Sequence, residues 1–399
     1  MTSWLSTPGV VCALGTGVDA VARAAFLGDT AGMRAREGWV EGRALTLGAY
    51  AGALPELPAD LATHHRSRNN QLLLAAAVQI EDRLRTAVAR YGAGRVAVVI
   101  GTSTSGVNDN APAFRHLKAQ GAWPDTYDYR RQALSSPAAF LADWLGAAGP
   151  AYTLSTACTS SARALLSARR LLELGVCDAV VCGGADTLCR LTINGFATLE
   201  AVDDALCAPF SVNRRGINIG EAGVLFLMER APADADAVAL LGGGASSDAW
   251  HMSAPDPTGE GARQAMLAAL KSAGVDAASI GWLNLHGTGT QHNDAMESHA
   301  THAVFPQGVP CASTKALTGH TLGAAGALEA VLAWITLSNS NASGALMPHV
   351  WDGQADPSLP ALEFSTPGHR YALGRQRLAM SNSFAFGGNN ASLVFGGQP

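Results

Sequence analysis

The stretch AYTLSTACTSSARALLSARRLLELG occupies residues 151–175. Ala151–Ser155 reads as a short buried strand. Ser160–Leu174 carries apolar residues at helical spacing and is closed by Gly175. Cys158 falls at the turn between the two. At such a turn the first backbone N–H groups of the helix are unpaired, and the helix dipole presents its positive end. A free cysteine is only about 3 % thiolate at pH 7. A helix N-terminus raises that fraction, so the expectation here is an activated thiol. The same N–H groups can stabilise an oxyanion. A lone cysteine is more often a small core residue, so the neighbouring motifs decide the reading.

The pattern repeats outward. Val96–Ile100, Ala179–Cys182 and Val224–Met228 are short apolar runs that read as buried strands. Asn70–Arg90, Ser160–Leu174, Gly261–Ala273 and Leu322–Ser338 are longer runs read as amphipathic helices. Such alternation predicts an α/β protein of helices layered on sheets. The Ala/Asp-rich Ala231–Ala237 reads as a surface linker. It divides the chain into two related halves, 1–232 and 233–399, each with the pattern strand, glycine turn, helix, strand.

The chain has 399 residues, 48 % hydrophobic and 15 % charged, so it can bury a large core and is not disordered. The net charge of -5, without a basic cluster, argues against nucleic acid or an anionic membrane as the main partner. Seven scattered cysteines do not form a disulfide framework. The N-terminus lacks the basic region of a secretory signal, and Leu322–Leu337 is broken by Glu329 and too short to span a bilayer. The expectation is a reduced, soluble, cytoplasmic, stand-alone unit.

Two further motifs bear on chemistry. Asn284-Leu285-His286-Gly287-Thr288-Gly289-Thr290 places His286 at a strand end, in a turn that a substrate can approach closely. Ser313-Thr314-Lys315-Ala316-Leu317-Thr318-Gly319-His320 places Lys315 five residues before a second histidine. Glu329 lies nine residues past His320 in an otherwise apolar helix. A buried glutamate needs a partner, and Lys315 is the candidate.

Together these residues resemble the β-ketoacyl-acyl carrier protein synthases, the elongating condensing enzymes of fatty acid and polyketide synthesis. Cys158, His286 and His320 match the family's Cys-His-His pattern, with Lys315 in the Lys-x4-His spacing. Pro209-Phe210, Ile219-Gly220-Glu221, Asp294 and Glu297 also match. So does the glycine-rich gating loop Asn382–Asn390. Arg68–Gln71 and Gly216–Glu221 resemble the ketosynthases of aryl-polyene pigment clusters.

The resemblance implies the thiolase fold, five layers αβαβα from two similar halves, commonly dimeric. It implies ping-pong chemistry without a cofactor, on substrates carried by the phosphopantetheine of an acyl carrier protein. Cys158 would take the acyl group, with an oxyanion hole from the backbone N–H groups of Cys158 and Phe386. His286 and His320 would donate to the malonyl thioester oxygen. Lys315 would order the network through Glu329, and Asp294 and Glu297 would hold the His286 loop. Phe384 and Phe386 would gate the acyl pocket. Ala385 stands where relatives usually carry glycine, which implies a stiffer gate. Thr104, in the Gly101–Gly106 loop, would leave room at the pocket floor for a rigid or aromatic acyl chain.

The implied partners are an acyl carrier protein and either a second copy or a homologous chain-length subunit. A non-catalytic chain-length role is the alternative, and the intact Cys158 and both histidines weigh against it. A degradative thiolase would need a second cysteine in the Phe384–Asn390 loop, which has none. His320 in its Gly-His-Thr-Leu-Gly setting argues against a Cys-His-Asn condensing enzyme. Glu297, His299 and His302 have spacing compatible with one helix face, but the family role of Glu297 is structural, so no metal is expected.

Overall fold

The computed structural model describes residues 2–397. Five strands of the first half lie in the order Ala151–Leu154, Val96–Gly101, Ala179–Asp186, Ala222–Glu229, Gly9–Cys12. The first two pairings are parallel and the last two antiparallel. Five strands of the second half repeat this arrangement: Pro310–Ala312, Trp282–Asn284, Leu378–Ala385, Asn389–Gly396, Val238–Ser247, with the same senses of pairing. Numbered in chain order, each set reads 3-2-4-5-1. The short strand Ser3–Leu5 joins the sets, pairing antiparallel with Val238–Leu240 on one side and Met228–Glu229 on the other. Residues 231–237 connect the halves at the surface without helix or strand.

The side chains of the first sheet alternate between two cores. Val96, Val98 and Ile100 pack outward against the helices Arg68–Ala77, Glu81–Tyr91 and Ser136–Leu145. Ala97 and Val99 pack inward, into a core that also holds Leu393 and Phe395 of the second sheet. Helices Ser160–Glu173 and Ala325–Leu337 fill that inner core between the sheets. Helices Glu260–Ala273 and Gln291–Val304 cover the far face of the second sheet. The result is the five-layer αβαβα thiolase-like fold. Strands covered on both faces must be apolar throughout, which is why they read as runs.

Two helices differ from their sequence reading. Ala325–Leu337 is not amphipathic, since every residue in it is buried. A helix between two sheets has no solvent face. It crosses the Ser160–Glu173 helix at Gly326, where an added Cβ would sit 2.7 Å from the Ala162 Cβ. The run over 70–90 is two helices broken by a 3-10 turn at Val78–Ile80. There the Gln79 side chain bonds both the N–H and the C=O of Val10. No helix among the described residues is long and apolar enough to cross a membrane.

Candidate active site

Cys158 sits at the tight turn between the Ala151–Leu154 strand and the Ser160–Glu173 helix. The preceding Ala157 has φ +52°, a left-handed backbone that costs a non-glycine residue of order 1 kcal/mol. Hydroxyl groups hold this strained elbow. Ser160 Oγ accepts from the Thr156 N–H at 2.9 Å and donates to Ala157 O at 2.6 Å, while Thr159 Oγ1 donates to Thr156 O at 2.7 Å. Beneath the elbow, a Cβ on Gly101 would lie 2.3 Å from the Ser161 nitrogen, so only glycine admits the helix so close to the sheet.

Cys158 opens into a cavity of about 270 Å³ that is also lined by His286, His320, Phe384 and Phe386. His320 Nε2 lies 3.0 Å from the Cys158 sulfur. The two imidazoles meet edge-on with centroids 5.2 Å apart. Phe384 packs beside His286, and Phe386 rests on Phe196. The Phe386 backbone N–H points at the Cys158 sulfur. Ala385 has φ −122°, extended backbone that its methyl accommodates, so the substitution puts no strain on the loop.

The expected activation of the thiol is corrected here. Burial pushes the Cys158 thiol up to about 12, outweighing the nearby Lys315 charge and the Phe386 N–H. A buried thiolate would lose its hydration, which opposes the helix terminus. The thiol is therefore held protonated, with His320 positioned to take its proton. Burial, reinforced by the Lys315 charge, also holds both histidines well below the usual imidazole range, so both are neutral.

His286 is fixed from three directions. Glu297 accepts from the His286 and Gly287 N–H groups, both at 2.7 Å. Lys315 Nζ donates to His286 O at 2.5 Å, to His286 Nδ1 at 3.4 Å and to Glu329 Oε1 at 2.5 Å. Lys315 thus touches His286 directly. An ammonium only donates, so His286 Nδ1 is the acceptor and its proton sits on Nε2. Asp294 receives the N–H groups of Gly289 and Phe210, which ties the loop to the Pro209-Phe210 segment.

His320 is held by its backbone instead. Its N–H donates to Asn218 O at 2.6 Å and its C=O accepts from Gly220 N at 2.9 Å. Its Nδ1 has no hydrogen-bond partner. Just beyond it, Leu322 has φ +51° and the Gly323 N–H donates to Asp186 at 2.6 Å. Asp186, fully buried, also receives the Thr102, Ser103 and Thr104 hydroxyls and the Ser103 and Thr104 N–H groups.

Sequence reading missed Asp186. Its one signal is an acid closing an otherwise apolar strand, Ala179–Asp186. Thr104 does not line the cavity; its hydroxyl is spent on Asp186 at 2.6 Å. Phe196, Leu199 and Ile217, which line the cavity, were also not singled out. Glu297 is buried behind His286, whereas His299 and His302 are exposed, so the three do not converge. Arg68 and Glu221, from the two stretches with subgroup resemblance, form a bidentate ion pair.

Residues 63–233 match the family model of the beta-ketoacyl synthase N-terminal domain, and residues 238–346 that of the C-terminal domain. A chain of the complex between the ketosynthase ApeO and its chain length factor ApeC, from Xenorhabdus doucetiae, is 46 % identical with a TM-score of 0.91, covering 100 % of this chain and 98 % of that one. A beta-ketoacyl synthase from Burkholderia phymatum STM815 is 27 % identical with a TM-score of 0.87, over 100 % of both chains. The 3-oxoacyl-[acyl-carrier-protein] synthase 2 of Rhizobium meliloti (strain 1021) is 36 % identical over 62 % of this chain and 60 % of the relative. The chain spans about three fifths of the length of the curated relatives it matches. With both domain models matched and a solved relative aligned end to end, the chain belongs to the beta-ketoacyl synthase family.

Proposed function

We propose that the protein extends an acyl chain by decarboxylative condensation with malonyl-acyl carrier protein, releasing a 3-ketoacyl-carrier protein two carbons longer. The observation that carries this reading is His320 Nε2 at 3.0 Å from the Cys158 sulfur in a cavity that also holds a neutral His286. In the first step the sulfur adds to the acyl carbonyl while His320 takes the thiol proton. The Cys158 and Phe386 N–H groups face the developing oxyanion. Collapse breaks the bond to the carrier sulfur, which leaves with that proton.

In the second step the malonyl carbon–carboxylate bond breaks and CO2 departs. The electron pair becomes an enolate whose oxygen is faced by the His286 Nε2–H and by His320. The enolate carbon attacks the Cys158 thioester, the new C–C bond forms, and the sulfur leaves as a thiolate that takes a proton from solvent. Lys315, Glu329, Glu297 and Asp294 position the histidines, and Phe384 and Phe386 close the cavity.

The substrates are carried on the phosphopantetheine of an acyl carrier protein, and the residues require no cofactor of their own. The partner we propose is a homologous chain-length subunit. The support is the 46 % identity to a chain of the ApeO–ApeC complex, and the ishigamide ketosynthase/chain length factor is a further structural match, 26 % identical with a TM-score of 0.87. The Arg68–Gln71 and Gly216–Glu221 stretches favour aryl-polyene synthesis, and seven free cysteines fit a reducing cytoplasm.

Intact-mass spectrometry after incubation with an acyl-carrier protein tests the reading. The native protein, alone or co-expressed with its partner, is expected to gain one acyl mass and Cys158→Ala none. Malonyl-carrier protein then discharges the acyl group as a longer product. Absence of acylation in both settings would overturn the catalytic assignment in favour of a non-catalytic chain-length role.

A further inference from the structure

We propose that Lys315 has a second task, independent of the reaction catalysed: it keeps thiophilic divalent cations such as Zn²⁺ out of the Cys158–His286–His320 cluster. One donor atom from each of these buried residues lies within 4.8 Å of the other two. A thiolate, two imidazoles and an open fourth position form a zinc ligand set, in which neighbouring donors stand about 3.5 Å apart. Closing the cluster by about an ångström would satisfy that geometry. Zn²⁺ bound to the Cys158 sulfur would remove the nucleophile.

The obstacle is the tautomer. A ligating histidine presents a bare nitrogen to the metal and donates its other N–H to an acceptor behind it. Behind His286 stands an ammonium with three donors and no acceptor. All three are engaged, on His286 Nδ1, His286 O and Glu329 Oε1. This keeps the proton on Nε2, the nitrogen left to face Cys158 and His320. Binding a metal there would require an N–H turned against the Lys315 ammonium. It would also place a dication beside a buried cation. His320 adds no support, because its Nδ1 has no acceptor to donate to.

The test is Zn²⁺ titration of the whole protein by calorimetry, paired with protection of Cys158 from iodoacetamide. Native protein and Lys315→Arg, both donor-only, are expected to show no Zn²⁺ site that depends on Cys158. Lys315→Gln supplies an acceptor for an Nδ1–H. It is expected to bind one Zn²⁺ about 10- to 100-fold more tightly than native. Adding Cys158→Ala should abolish that binding. Should Lys315→Gln misfold because Glu329 is stranded, Lys315→Gln/Glu329→Gln removes the unpaired charge and carries the same expectation. The proposal fails if native protein already binds Zn²⁺ tightly through Cys158. It also fails if a folded glutamine variant gains no Cys158-dependent site.

Discussion

His286 and His320 face the same sulfur from two loops of the same half, and they are held in opposite ways. His286 is clamped by charge: Glu297 takes its N–H, and Lys315 takes its C=O and its Nδ1. His320 is clamped by backbone pairing with Asn218 and Gly220, and its Nδ1 is left alone. One ring is locked as a single-tautomer donor. The other can accept a proton through Nε2 or donate one from it. The difference matches the work proposed for each. Only His320 must take the thiol proton of Cys158 and then, once its ring proton has moved from Nδ1 to Nε2, give a hydrogen bond to the enolate, whereas His286 serves the enolate alone.

The sharpest way to break this comparison is Lys315→Ala. It releases the His286 tautomer, whereas on Cys158 and the ring of His320 Lys315 acts only through its charge and makes no hydrogen bond. Condensation is expected to fall by about 10²- to 10³-fold, while acylation of Cys158, read by intact mass, persists. Equal loss of both half-reactions would show that the two histidines share one clamp.

A third buried histidine extends the comparison. His349 accepts from Ser313 N and donates to Pro209 O, so it is locked like His286 but lies outside the cavity. Burial pulls its pKa down to about 4, below the 6.5 of the unfolded chain. The sign follows: the stability it contributes is present above pH 6.5 and is lost as pH falls toward 4. Urea unfolding of native protein is expected to lose about 3 kcal/mol more across that window than His349→Gln does. Identical pH profiles would mean the locked ring carries no such linkage.

The smallest effect is expected at Asp186→Asn, which weakens the loop behind His320. Urea stability should fall by about 2 kcal/mol. Because His320 serves both steps, acylation and condensation should slow together, unlike the split expected for Lys315→Ala. A loss confined to condensation would place Asp186 with His286 instead.

Much of this arrangement is legible in the sequence because its parts are local. The strand, elbow and helix around Cys158 lie within 25 consecutive residues, and Lys315, His320 and Glu329 share another short stretch. Asp186 escapes such reading because its donors come from loops 82 to 84 and 137 residues away. The thiol state of Cys158 escapes it for a different reason. The helix terminus is visible as a pattern, but the burial of the sulfur depends on residues distant in the chain, such as Phe384 and Phe386. Thr104 sits in the expected loop, yet which way its hydroxyl turns depends on a carboxylate that no local pattern announces.

The Ser3–Leu5 strand has a consequence for how the chain is made. This strand is translated well before its partners, Met228–Glu229 and Val238–Leu240. Its residues wait unpaired until the chain up to Leu240 has followed, and only then can they seam the two sheets together. Closing so long a loop is slow. The hydrogen bonds that seam the two sheets therefore form long after the residues of Ser3–Leu5 are translated.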